Sequence, residues 1–157
     1  EKAVSKMRKI YDVQGDQPVE LIHKKLGKVI WDYCGMSRSE AGLKKALGLV
    51  KEIKEEFWST IKIPGEFKSF NTELDKAGRV IDFIELGDLM IRDALDRKES
   101  CGGHFRVESQ THTGEAKRID NKYSYVSAWE YAKKADPKLH REPLVFENVK
   151  LAERSYK

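Results

Sequence analysis

The sequence predicts a mainly α-helical protein, an antiparallel three-helix bundle of the spectrin-repeat type followed by a C-terminal β-hairpin extension. Two observations carry this prediction. Three long segments repeat apolar residues every three or four positions, which is the spacing of one helix face. Beyond residue 106 the pattern changes to an alternation of aromatic and β-branched residues, which is typical of a half-buried strand.

Length and composition indicate one soluble, helix-rich domain. The chain has 157 residues, of which 36% are charged and 39% hydrophobic. Its 30 basic and 26 acidic residues are mixed along the chain, which indicates a solvated surface and no nucleic-acid partner. Cys34 and Cys101 lie too far apart to suggest a disulfide framework. The first residue is Glu1, and we expect the chain to belong to a longer polypeptide.

The N-terminal part predicts a short helix and then a long one. Residues 3–12 form an amphipathic segment that residues 15–18 interrupt. Pro18 suits the first turn of the next helix, where its missing N–H costs nothing. Trp31 lies off the apolar stripe of that helix and is a candidate for a second surface, whereas Gly35 occupies a C-terminal cap position. The stripe itself consists of Ile22, Leu26, Val29 and Tyr33.

Two further helices complete the predicted bundle. Residues 37–40 match a capping box, with Ser37 as the N-cap and Glu40 as its partner. Asn71 or Thr72 begins the third helix. Short breaks between the three helices favour an antiparallel bundle, in which packing of the stripes supplies most of the stability. The second stripe is Leu43, Ala46, Leu47, Val50, Ile53 and Phe57, and the third is Leu74, Ala77, Ile81, Ile84, Met90 or Ile91, and Leu95.

The most informative stretch follows the third helix, at residues 95–106. The helical pattern runs into this stretch and is expected to stop at Gly102 and Gly103, because paired glycines permit a tight turn or a close approach to another surface. An acid, a hydroxyl, a thiol, an imidazole and a guanidinium surround the turn. They belong to Glu99, Ser100, Cys101, His104 and Arg106.

Catalytic and metal chemistry at this stretch is disfavoured. Cys101 and His104 have half the ligand spacing of a zinc site, but the second pair is missing because Cys34 stands alone. A Cys–His nucleophile would also need an orienting group and an oxyanion hole, and no family signature supports one. Neither a G-x-G-x-x-G nor a Walker motif is present, so the sequence has no phosphate loop to hold a dinucleotide.

The C-terminal third predicts a loop and a hairpin. Residues 107–121 are polar, residues 123–131 predict a strand, residues 133–138 a turn, and residues 142–149 the returning strand, with Pro143 at a strand end or edge. An isolated hairpin is marginally stable, so we expect it to pack on the bundle or on another domain. We therefore divide the chain into a bundle over 1–106 and a tail over 107–157. The hairpin aromatics favour packing over base stacking, because no RNA-binding motif surrounds them.

Taken in order, these residues resemble the C-terminal helical domain of the succinate dehydrogenase/fumarate reductase flavoprotein subunit. The resemblance covers nearly the whole chain and rests on residues 26–33 and 35–36, 40–47, 70–74, 85–89, 97–106 and 154–156. Its most specific part is the Glu-Ser-x-Gly-x-His corner, where the family commonly has arginine at the position of Cys101. L-Aspartate oxidases share a similar corner, but the long hairpin and the Arg-Ser-Tyr ending favour the dehydrogenase/reductase.

The resemblance implies a function for the parent subunit. The family interconverts succinate and fumarate with covalently held FAD and passes electrons to an iron–sulfur subunit. FAD and substrate would belong to flavin and capping domains that precede Glu1, so this fragment would hold no catalytic, cofactor-binding or metal residue and would be inactive alone. Its partners would be those two domains, the iron–sulfur subunit and, indirectly, a membrane-anchor subunit. The complex would lie on the cytoplasmic face of the inner membrane.

The resemblance also implies a role for the corner in fixing this domain against the flavin domain. Simple helix termination is the alternative explanation for the same residues. A free-standing helical protein-interaction module is the alternative for the whole chain, and it predicts an exposed apolar patch on the bundle. The residues expected to dock are Glu99, Ser100, Gly102, Gly103, His104 and Arg106.

Overall fold

The computed structural model describes residues 1–132 and 135–152. Its three long helices form an up-down-up bundle, and a hairpin follows, which confirms the predicted fold class. The predicted Arg-Ser-Tyr ending and the first two residues of the predicted turn at 133–138 lie outside the described residues. The helices are α1 (Lys2–Tyr11), α2 (Val19–Cys34), α3 (Glu40–Thr60), α4 (Thr72–Asp96) and α5 (Asp120–Tyr123). The strands are β1 (Ser37–Arg38), β2 (Phe105–Arg106), β3 (Tyr125–Glu130) and β4 (Lys138–Pro143).

The apolar core lies between α2, α3 and α4 and uses the predicted stripes. Each fully buried Ile, Leu or Phe side chain there stabilises the fold by about 1.5–3 kcal/mol. Ile91, and not Met90, continues the stripe of α4, and Asn71, and not Thr72, caps its N-terminus by accepting from the Leu74 N–H at 3.0 Å. The fully buried apolar residues include Ile22, Leu43, Val50, Phe57, Ile84 and Ile91.

The predicted capping box at Ser37 is wrong. Ser39 is the N-cap of α3, and its Oγ accepts a hydrogen bond from the Gly42 N–H at 3.0 Å. Ser37 instead lies in β1, which pairs in parallel with β2. Either serine is a suitable N-cap residue, although only Ser37 has a glutamate three residues later, and the distant partner at Phe105 draws Ser37 into extended backbone.

The end of α4 also differs from the prediction. The helix stops at Asp96 and not at the paired glycines, and Arg97 caps it with extended backbone. Free carbonyls in the last turn of a helix need donors, and the Arg106 side chain supplies one to the carbonyl of Ala94 at 2.9 Å. The helix therefore ends where the Arg106 side chain, which follows the glycine turn in sequence, can reach its last carbonyls.

The hairpin packs on the C-terminal part of α4, as expected. The Tyr125 hydroxyl donates to Asp96 at 3.0 Å, and the Trp129 indole donates to Asp93 at 3.1 Å. The first predicted strand is present as β3. The second prediction, residues 142–149, is wrong, because β4 pairs over Lys138–Pro143 and ends at a proline that has no N–H to donate. The domain boundary at residue 106 stays a prediction. Among the described helices, none combines the length and apolar composition that a bilayer crossing requires.

Candidate domain-docking corner

The corner, residues 99–106, projects from the end of the bundle where α2 and α4 finish. Backbone hydrogen bonds in both directions between Cys101 and His104, at 2.9 and 3.1 Å, close a tight turn over the two glycines. Gly102 has a φ of +59°, which residues other than glycine rarely adopt. Cys101, Gly102 and Gly103 are exposed, and a Cβ added at either glycine would meet no atom within 4 Å. The glycine turn is therefore an open surface of this chain.

Arg106 forms the buried base of the corner. Its side chain is 2% exposed, and its guanidinium donates to the Ala94 carbonyl at 2.9 Å and to the Glu108 carboxylate at 3.0 Å. The carboxylate of Glu40 lies 3.9 Å away. A buried charge is tolerated only where it is paired and hydrogen-bonded, and Arg106 meets both conditions. This side chain ties the end of α4 to the start of α3 and to the loop after β2.

Ser100 and Glu99 bond backbone groups within the chain. The Ser100 Oγ accepts from the Arg106 N–H at 2.8 Å and donates to the Arg106 carbonyl at 3.2 Å. The buried Glu99 carboxylate accepts from the Arg97 guanidinium at 2.9 Å and from the Ile119 N–H at 2.7 Å. Both residues therefore hold the corner in shape.

His104 is half-buried and joins two elements. Its Nε2 lies 2.8 Å from the Arg97 carbonyl, which only accepts, so Nε2 carries the proton. Its Nδ1 then accepts from the Arg38 guanidinium at 2.7 Å. Burial lowers the pKa of His104, and the neighbouring Arg38, Arg106 and Arg97 lower it further, whereas its bond to the Arg97 carbonyl opposes the shift. The ring is therefore neutral at physiological pH.

His104 is not free to act as a base for Cys101. Both ring nitrogens of His104 are engaged, one by the Arg97 carbonyl and the other by Arg38, so neither is available to take the thiol proton. Within residues 1–132 and 135–152, no group of three or more His, Cys, Asp or Glu side chains is placed to hold a metal ion.

The described residues also do not fit a dinucleotide such as FAD. A dinucleotide site needs a glycine-rich turn that opens a helix, whose free N–H groups then face the pyrophosphate. In the described part of the chain, Ser39 and Asn71 each cap one N-terminal N–H group, of α3 and α4 respectively, and α2 has no side-chain cap but follows Pro18 and not a glycine-rich turn. The three glycines with positive φ, at 65, 102 and 114, lie in turns outside the helices. We therefore assign no step of flavin chemistry to these residues.

Two cations of the corner were not among the predicted site residues. Arg97 donates to Glu99 and also to the carbonyls of Tyr123 and Tyr125, at 2.9 and 3.1 Å, and so anchors the hairpin. Arg38 reaches His104 across 66 residues of sequence. The nearness of Arg97 to Glu99 in sequence is a detectable signal, whereas no sequence pattern marks the Arg38–His104 pair. All six predicted residues do lie together at this corner.

Comparison with known proteins identifies relatives. A family described as "Fumarate reductase flavoprotein C-term" matches residues 23–156. An uncharacterized FAD-dependent oxidoreductase of Methanocaldococcus jannaschii is 34% identical over 102 residues, which is 65% of this chain and 18% of the relative. The fumarate reductase flavoprotein subunit of Haemophilus influenzae is 23% identical over 153 residues, 98% of this chain and 24% of the relative. An L-aspartate oxidase of Vibrio cholerae is 28% identical over 95 residues, 59% of this chain and 16% of the relative.

The fold is shared with solved structures. A quinol-fumarate reductase with menaquinol molecules superimposes with a TM-score of 0.78 at 19% identity, covering 93% of this chain and 24% of that chain. This chain thus spans about a fifth to a quarter of the length of the first curated relatives it matches. Because the family match extends over most of the sequence, the chain belongs to the family of fumarate reductase flavoprotein C-terminal domains.

Proposed function

We propose that this chain serves a subunit that interconverts succinate and fumarate with FAD and passes electrons to an iron–sulfur subunit. The observation that carries the proposal is the family match over residues 23–156. The description of that family names fumarate reductase, and a fumarate reductase flavoprotein subunit aligns with 98% of this chain, which supports the reductase assignment. The domain itself is a brace for the FAD and capping domains and performs no chemistry alone.

The corner supports the bracing role. Hydride transfer needs its reacting atoms held in fixed geometry, so the domains around a flavin must be positioned rigidly. Glu99, Ser100 and Arg106 form a buried hydrogen-bonded base, and the exposed Gly102–Gly103 turn stands on it. In this proposal the turn contacts the flavin domain, and the buried residues act by holding the turn in place.

The remaining partners follow from the same proposal. One solved neighbour is a quinol-fumarate reductase with menaquinol molecules. By analogy, the intact subunit would bind an iron–sulfur subunit and, through it, a membrane anchor, and would lie on the cytoplasmic face of the inner membrane. Nucleic acid is not among the proposed partners.

A free-standing interaction module is the second candidate, and one observation favours it. The bundle exposes large apolar side chains, including Trp31 and Leu86, which a separate helical module would use to bind its partner. Such a module would be a short gene product without flavin.

The decisive experiment captures the natural polypeptide from source-cell membranes with an antibody against this chain. The proposal predicts a polypeptide several times larger than 18.1 kDa that carries covalent flavin and reduces a dye with succinate. A flavin-free, inactive band near 18.1 kDa would reject the proposal in favour of the interaction module.

A bulky residue at Gly103 tests the bracing role. We expect Gly103→Trp in the intact subunit to lower flavin content, because the side chain would separate the turn from the flavin domain. A Cβ at this exposed position meets no atom of the domain within 4 Å, so the unfolding midpoint of the bundle is the control and should not change. Normal flavin content would show that the turn does not dock.

A further inference from the structure

Helix α4 carries a second apolar stripe that the bundle leaves uncovered. Phe83, Leu86 and Met90 follow one another at helical spacing and are 43%, 54% and 42% exposed. They lie away from the core stripe, which continues through Ile84 and Ile91. A helix with two apolar stripes normally packs against neighbours on both of them, whereas the described residues cover the second stripe of α4 only in part.

Helix α2 supplies the other wall of the same surface. The His23 ring stacks on Phe83, with ring centroids 5.6 Å apart. Further along, the Ile30 side chain lies 3.3 Å from the position that a Cβ on Gly87 would occupy, so the two helices are in close contact there. Trp31, which the sequence marks as lying off the core stripe, is 83% exposed. We call this surface the α2–α4 groove and define it by His23, Gly27, Trp31, Phe83, Leu86 and Met90.

Gly27 indicates that the α2–α4 groove receives a closely packed neighbour. It lies in the middle of α2, where glycine costs about 0.5–1 kcal/mol relative to alanine. A Cβ at this position would meet no atom within 4 Å, so nothing within the described chain requires glycine there. Close approach of a backbone from outside the chain would account for it.

Helix α1 points to the origin of that neighbour. Its C-terminal Tyr11 bonds the Gly65 carbonyl near the start of α4, Met7 lies against Gly78, and Lys6 pairs with Asp82. Helix α1 therefore runs antiparallel to α4 and covers it up to the level of Asp82. Asp82 directly precedes Phe83, the first residue of the second stripe, so α1 reaches the level at which the α2–α4 groove begins. A polypeptide segment that leads into α1 would reach this domain at the groove.

We propose that the α2–α4 groove is an intramolecular docking surface for the part of the same polypeptide that leads into α1, the flavin-binding part of the subunit. This inference rests on the proposed function. The solved neighbour is covered by this chain over only 24% of its length, so most of such a subunit is available to fill the groove. The occupant presents an apolar face, with a backbone segment close enough to contact Gly27.

The test places a photoreactive amino acid in the intact subunit, purified with its natural partners. Trp31→p-benzoylphenylalanine and, separately, Leu86→p-benzoylphenylalanine replace exposed side chains and leave the core unchanged. Trp58→p-benzoylphenylalanine, at an exposed tryptophan on α3, is the matched control. After irradiation, mass spectrometry identifies the crosslinked peptides, and flavin content and succinate–dye reductase activity are measured on the same preparations.

We expect both groove positions to crosslink to the preceding part of the same polypeptide. We expect no such adduct at the control position. Adducts on an iron–sulfur subunit or on a second copy of the chain, or no adduct at either position, would overturn the docking inference. If such a preparation contains flavin and is active, the proposed function stands while the groove inference fails. An adduct on the preceding segment in a preparation without flavin or activity supports the groove and rejects the proposed function.

Discussion

The bundle core and the base of the corner are both buried, but different interactions hold them. The core packs side chains such as Phe57 and Ile84, which meet other apolar groups without directional bonds. At the corner, Arg106, Ser100 and Glu99 each make hydrogen bonds to specific partners. The core therefore depends on the volume of its side chains, whereas the corner depends on their chemical identity.

The largest expected effect is in the core. Phe57→Ala removes a fully buried ring from α3, and we expect the free energy of unfolding to fall by about 3–5 kcal/mol, through lost burial and the cavity left behind. Denaturant titration of the purified polypeptide measures the change. Phe57→Leu retains much of the volume and should cost clearly less. Equal losses for the two variants would contradict a core that depends on volume.

Replacing Arg106 tests the opposite rule at the corner. Arg106→Met conserves length but removes every side-chain donor, so the Ala94 carbonyl loses the guanidinium and the Glu108 carboxylate keeps only its bond to the Glu40 N–H. We expect a loss of about 2–3 kcal/mol in the free energy of unfolding, because these bonds involve a charged group. Arg79→Met, which removes an exposed ion pair with Asp75, should cost well under about 1 kcal/mol. Unchanged stability in Arg106→Met would show that volume alone matters there.

The N-cap of α3 gives a smaller effect and separates two neighbouring serines. Ser39→Ala removes the acceptor for the Gly42 N–H, and we expect a loss of about 1 kcal/mol in the free energy of unfolding. Ser37→Ala is the matched control, because this exposed residue of β1 makes no capping bond. Its replacement should change the free energy of unfolding by less than about 0.5 kcal/mol. The reverse order of losses would restore the capping box predicted from the sequence.

The smallest effect is a pH dependence at His104. Because burial lowers the pKa of His104 in the folded protein, the unfolded chain takes up this proton at higher pH than the folded one. The contribution of neutral His104 to the free energy of unfolding is complete above pH 6.5, the ordinary pKa of this side chain. It is lost as the pH falls through that value towards the lower pKa of the folded protein. His104→Gln keeps an amide donor in place of Nε2 and cannot titrate, so the variant should lose this part of the dependence.

Denaturant midpoints measured between about pH 5 and pH 8 test this expectation. Subtracting the two curves removes the contribution of His23, His112 and His140, which both proteins share. Parallel curves would mean that His104 is not held neutral by the corner.

The sequence predicted the fold better than the details of the corner. It predicted the three stripes because helical periodicity is local and each stripe repeats within one segment. It brought Glu99, Ser100, His104 and Arg106 together because they lie within eight residues of one another. It missed Arg38, and placed the N-cap at Ser37, because both errors concern β1, whose partner strand is distant in sequence.

By itself, the sequence determined the bundle, the apolar core and the family resemblance, since these rest on local periodicity and on motifs read in order. Only the tertiary structure decided which polar groups bond one another. Arg38 and His104 are 66 residues apart, and a bond across that distance leaves no periodic trace in the sequence. Likewise, the sequence places Trp31 off its stripe, but only the tertiary structure shows that its side chain stays exposed beside a second apolar stripe on α4.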